Sequence, residues 1–113
     1  MFTLQWTAEA IRAFHDLESQ VKNIQETSQK KSKSSRQEGV FKQVVKTLKF
    51  LRENPRHPGL RTHAYSELEH PWSKDEKVFE AYVQNNTPGA YRIFWCYGPK
   101  KQEITIISIT AHP

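Results

Sequence analysis

The strongest constraint in this sequence is a cluster of helix breakers near its middle, Asn54-Pro55 and Pro58-Gly59. Proline disfavours helical geometry in the residue before it and glycine permits a tight turn, so no helix is expected to run through this point. Before the break, apolar residues recur at three- and four-residue steps. Ala10, Ile11, Phe14, Leu17, Val21 and Ile24 form one series, and Val40, Phe41, Val44, Val45, Leu48 and Leu51 a second. That spacing predicts two amphipathic helices, the first capped by the Thr7 hydroxyl. Residues 25–38 carry no large apolar side chain and read as a linker or a protruding helix end. Ahead of the first helix, Phe2, Leu4 and Trp6 alternate with Thr3 and Gln5, the pattern of a strand with one buried face.

After the break the texture changes to strands, expected over residues 60–68, 78–83, 91–97 and 103–110. Asn85-Asn86-Thr87-Pro88-Gly89 and Gly98-Pro99-Lys100-Lys101 supply turns between the last three. Residues 91–97 are too apolar on both faces for an edge and should form the central strand, with Tyr91, Trp95 and Tyr97 packed in the core. The class is α+β: an N-terminal strand and a two-helix hairpin packed on one face of a mostly antiparallel, four- to five-stranded sheet. With 113 residues the chain is long enough for one core and too short for two, so a single domain spans 1–113.

Composition narrows the function classes. Mean hydropathy is −0.78 and no apolar run approaches the ~18 residues of a membrane span, so no membrane role is expected. The first six residues lack a basic n-region and a long apolar stretch, which makes the cytoplasm the expected compartment. Cys96 is the single cysteine, which excludes an internal disulfide and every multi-cysteine zinc motif; a buried thiol is the simplest reading. His57, His63, His70 and His112 follow no metal-ligand spacing, and neither a metal nor a cofactor is expected.

Charge is unevenly distributed. From Lys22 to Arg61 there are eleven Lys and Arg against three acids, net +8, within a chain of net +5. A polyanion such as RNA or DNA, or an acidic protein partner, suits such a field, because neutralising phosphates releases condensed counterions. A solvated helix face is the competing explanation.

Together these features resemble the RelE/ParE toxin superfamily of small bacterial toxins. The resemblance covers essentially the whole chain. It rests on the β-α-α-β-β-β order, the basic hairpin, the stop at Asn54-Pro55, Tyr91-Arg92-Ile93-Phe94 in a central strand and a basic residue after the last strand. Asn54-Pro55-Arg56-His57-Pro58-Gly59-Leu60, Val78-Phe79-Glu80-Ala81-Tyr82 and Ile109-Thr110-Ala111-His112-Pro113 are the blocks that carry it. The resemblance implies the toxin of a toxin-antitoxin pair, with an antitoxin protein as partner. Its activity would be ribosome-dependent mRNA cleavage or, in the ParE type, inhibition of DNA gyrase; a degenerate, non-catalytic toxin fold that binds only an antitoxin is a third possibility.

Metal-independent RNA cleavage turns a 2′-hydroxyl on its own phosphate. It needs a base, an acid for the leaving oxygen and cations beside the crowded phosphorane. By resemblance, Arg92 and Arg61 would hold the phosphate, while His112 and His63 would move protons. Lys42, Lys46, Lys49 and Arg56 would contact ribosomal RNA. Each has a structural alternative: Arg92 as a sheet arginine paired with Glu80 or Glu103, His63 as an exposed histidine, His112 as a terminal residue. The glutamate that some relatives place just before the second strand is replaced here by Pro58-Gly59, and the C-terminal tyrosine of others by His112-Pro113. The acid-base pair would then combine His112 with His63 or Tyr65.

Overall fold

The computed structural model describes residues 1–27, 36–84 and 89–111; for 23–27 and 36–37 it describes the backbone alone. The elements are β1 (Thr3–Trp6), α1 (Ala8–Thr27), α2 (Arg36–Glu53), a 3₁₀ turn (Pro58–Leu60), β2 (His63–Ala64), β3 (Phe79–Tyr82), β4 (Tyr91–Tyr97) and β5 (Glu103–Ala111). The five strands form one mixed sheet in the order β1-β5-β4-β3-β2, and β4 is central as its composition requires. Three pairings are antiparallel and β1 runs parallel to β5.

Thr7 caps α1 as expected, its hydroxyl oxygen accepting from the Ala10 N–H at 3.1 Å. The same hydroxyl donates to the Ile107 carbonyl at 2.7 Å, which ties the start of the helix to β5. Glu9 in the first turn complements the helix dipole. Ala10, Leu17 and Val21 bury one stripe of α1, and Val40, Val44, Leu48 and Leu51 bury one of α2. Both stripes pack on Ala81, Ile93, Trp95, Ile104, Ile106 and Ile109, so the helices cover one face of the sheet. Ile11 and Val45, expected in the stripes, are instead 40% and 43% exposed, because each sits one position beyond the buried row.

The other face carries a smaller cluster of Val78, Phe94, Cys96 and Ile107, with Tyr65 and Leu68 against it. Ile107 reaches this face because β5 bulges: Phe94 pairs with Ser108 but Trp95 pairs with Ile106. One extra residue therefore shifts the strict alternation of β5.

Two expectations are corrected. The strand expected over residues 60–68 contracts to His63–Ala64, since Pro58–Leu60 makes a 3₁₀ turn and Arg61 leaves it in left-handed geometry at φ 50°. Tyr97 is 38% exposed rather than a core residue, whereas Trp95 is buried and Tyr91 half-buried. Of the linker or protruding helix end expected over 25–38, the described ends are helical, up to Thr27 and again from Arg36; the middle lies outside the described residues, as does Asn85-Asn86-Thr87-Pro88 of the turn that ends at Gly89.

Candidate functional site

The chemistry-bearing side chains gather on the sheet face away from the helices. Pairing places them there: His63 on β2 lies opposite Glu80 on β3, and Tyr82 on β3 lies opposite Arg92 on β4. Residues two apart on a strand share a face, so His63, Glu80, Tyr82, Arg92 and Phe94 all project to the same side. Glu80 and Arg92 are diagonal neighbours, a separation a long side chain spans.

Glu80 is the hub. One of its oxygens, Oε2, accepts from Arg92 Nη1 at 2.6 Å, and the other, Oε1, lies 2.6 Å from His63 Nε2. Its side chain is 4% exposed and that of Arg92 12%. A buried charge persists only when paired and hydrogen-bonded, and both carboxylate oxygens of Glu80 are engaged. Of the two partners the sequence offered for Arg92, the structure selects Glu80; Glu103 accepts instead from Gln5 and from the Lys100 backbone.

Arg92 is walled by aromatic rings, its guanidinium carbon 4.8 Å from the Phe94 ring centre and 5.6 Å from that of Tyr65. Its Nε is buried and has no partner among the described residues. Cation–π contact on two sides holds the fork in place without using its donors. The site is thus a fixed, planar cation with unspent hydrogen-bonding capacity, on a face that no helix covers.

His63 is held at both ring nitrogens: Nδ1 lies 3.2 Å from the Arg61 carbonyl and Nε2 faces Glu80. Arg61 itself is exposed, in the left-handed geometry that ends the 3₁₀ turn. Tyr65 donates to Glu67 at 3.0 Å, and that bond, with loss of solvent and the nearby Glu67 charge, raises the phenol above its ordinary value of 10.0. Tyr65 therefore stays protonated at neutral pH, with its O–H held by Glu67.

The remaining sequence-derived candidates fall elsewhere. Lys42, Lys46 and Lys49 are exposed along α2, and Lys46 Nζ sits 5.6 Å from the centre of the Phe50 ring. Arg56 is exposed at the turn after α2, where the Asn54 side chain accepts from its backbone N–H. His112 lies outside the described residues. Glu80 is the residue the sequence reading passed over as a site member. A single acid on the inward register of a strand flanked by Val78, Phe79 and Ala81 was the available signal.

No protein-family model matches the chain, and no curated protein sequence matches it. Solved structures do. A YoeB/ParE toxin from Agrobacterium tumefaciens aligns over 100% of both chains at a TM-score of 0.60 and 9% identity. A chain of the YoeB-YefM toxin-antitoxin heterotetramer from Staphylococcus aureus aligns over 100% of this chain and 99% of its own, at 0.57 and 11%. A chain of the archaeal RelE-RelB complex from Pyrococcus horikoshii OT3 aligns over 97% and 93%, at 0.56 and 11%. At such identities the likeness is one of fold.

Proposed function

We propose that this chain, whose fold is that of the RelE/ParE toxin superfamily, is the toxin of a toxin-antitoxin pair and cleaves mRNA in the ribosome without a metal. The observation that carries this reading is the Arg92 fork, fixed between Tyr65 and Phe94 on the sheet face away from the helices, with Nε unpartnered among the described residues.

In this mechanism the scissile phosphate lies against Arg92, with Arg61 at its margin. As the 2′-oxygen attacks phosphorus, negative charge grows on the non-bridging oxygens, and a guanidinium already oriented stabilises it without reorganisation. Glu80 fixes the direction of Arg92, and His63 fixes Glu80, so both are positioning residues. Proton transfer falls to His112, which follows the last residue of β5 in the sequence, with the protonated Tyr65 as its counterpart. The exposed Lys42, Lys46, Lys49 and Arg56 contact the ribosomal RNA backbone, and an antitoxin protein restrains the toxin.

A second reading draws on the Glu80 pair itself: an arginine whose Nη1 is already paired with a buried carboxylate suits a structural role. The chain would then act as a gyrase inhibitor through its helical hairpin. Primer extension on mRNA from cells expressing the wild type, Arg92→Lys and His112→Ala separates the two. The nuclease reading expects discrete cuts with the wild type and about a hundredfold fewer with either variant. Undiminished cuts in both variants would remove the assigned roles, and induction of DNA damage without cuts would transfer the assignment to gyrase.

A further inference from the structure

The loop between β2 and β3 closes over the smaller cluster and forms a cleft of about 820 Å³ that includes Tyr65, Glu69, His70, Trp72, Asp75 and Glu76 in its walls. Tyr65 is also a wall of the Arg92 site, so the two places adjoin on one sheet face.

Three features define what the cleft accepts. Trp72 is 46% exposed, its ring lying over the turn at Gly98, where a side chain would clash with it at 2.8 Å. A half-exposed tryptophan in a cleft is an anchor of the kind that dominates binding interfaces. His70 supplies the second feature. Its side chain is 1% exposed, and its Nδ1 accepts from the Trp72 and Ser73 backbone N–H groups at 3.3 and 3.1 Å. In the neutral ring this fixes the hydrogen on Nε2, which is buried and has no hydrogen-bond partner among the described residues. Glu76 Oε2 stands 3.9 Å away, beyond hydrogen-bond reach. The third feature is charge. The walls carry Glu69, Asp75 and Glu76 against Lys74 and Lys77, net −1, on a chain of net +5.

We propose that this cleft seats an arginine side chain of the antitoxin. The guanidinium stacks on Trp72 and takes the Glu76 carboxylate through its fork, with Glu69 and Asp75 adding to the field. A peptide carbonyl beside that arginine accepts from His70 Nε2. A segment anchored in this way lies next to Tyr65 and covers Arg92, which blocks the phosphate site. Acids outnumber lysines in the walls, which favours a cationic peptide over an RNA strand. The antitoxin as source rests on the toxin reading above; the chemistry of the cleft does not.

The test uses the full chain, labelled with ¹⁵N and titrated with a blocked Gly-Arg-Gly peptide, its lysine and citrulline counterparts, and guanosine monophosphate. Arginine should shift the Trp72 indole N–H and the amides of 66–77, lysine less and citrulline not at all. Glu76→Gln should weaken arginine binding about tenfold, which corresponds to about 1.4 kcal/mol. Equal shifts with citrulline, stronger shifts with the nucleotide, or undiminished binding to Glu76→Gln would overturn the assignment. In cells, Glu76→Gln should arrest growth as the wild type does yet resist rescue by any co-expressed antitoxin that rescues the wild type; rescue as ready as that of the wild type would also overturn it. If the wild type fails to arrest growth, the toxin reading falls while the peptide titration still decides the cleft.

Discussion

Glu80 Oε2 and Arg92 Nη1 lie 2.6 Å apart on adjacent strands, with both side chains largely removed from water. Breaking such a pair by deleting one partner leaves a buried charge uncompensated, whereas the intact pair adds little net stability. Arg92→Ala and Glu80→Gln should each lower stability by about 3–5 kcal/mol in urea titrations. The double variant Glu80→Gln/Arg92→Met should recover much of the loss. A single variant as stable as the wild type would show that water reaches the pair. For the same reason Arg92→Lys, which keeps the charge and loses the fork, is the substitution for activity assays.

How much of this was legible in the sequence differs from element to element. The central strand was, because residues 91–97 are apolar on both faces, and so was the start of α1, because Thr7 precedes a clear helical stripe. The two-residue length of β2 was not. Its pairing is fixed by the left-handed exit of Arg61 and by its partner strand β3, neither of which leaves a periodic trace. Glu80 was legible as a partner for Arg92 but not as the hub of the site, because that role depends on cross-strand register with His63, 17 residues away in the chain. The cleft around Trp72 was illegible for a similar reason. Its walls come from an aperiodic, polar loop whose shape is set by local bonds to His70.

Thr7→Ala should cost about 1–2 kcal/mol, toward the upper end of the range for a cap. The hydroxyl both accepts from Ala10 and donates to the Ile107 carbonyl, so its loss frees the helix start and leaves a strand carbonyl short of a partner. Thr7→Ser keeps both bonds and should stay near the wild type in thermal melts. Equal losses in the two variants would assign the effect to the methyl group instead.

Lys42, Lys46 and Lys49 lie at i, i+4 and i+7 on α2 and share one exposed face. If that face tracks an RNA backbone, replacing all three with glutamine should reduce the slope of log affinity against log salt by about 2–3 units. Ribosome or RNA binding measured between 50 and 200 mM salt reads this slope, those limits being roughly the range over which such contacts titrate. An unchanged slope would place the phosphate contacts elsewhere.

The last prediction concerns Cys96, whose side chain is fully buried between Phe94 and the neighbouring strands. Burial, with the Glu76 charge adding to it, pushes the thiol from 9.0 up to about 12. At pH 8 the folded thiol is protonated and shielded, so iodoacetamide should label the native protein far more slowly than the protein in urea. The same shift couples to stability. Below 9 the thiol is protonated in both states and contributes no pH dependence. Between about 9 and about 12 the unfolded chain loses the proton and the folded chain keeps it, so the unfolded state is favoured as pH rises. The loss should approach roughly 1 kcal/mol per pH unit in that window. Tyrosines and lysines titrate in the same range, so the measurement is the difference between wild type and Cys96→Ala in urea titrations at pH 8, 9, 10 and 10.5, chosen as roughly the accessible part of the window. The wild type should lose stability faster than the variant above 9. Parallel curves would mean that the buried thiol ionises as readily in the folded protein as in the unfolded chain.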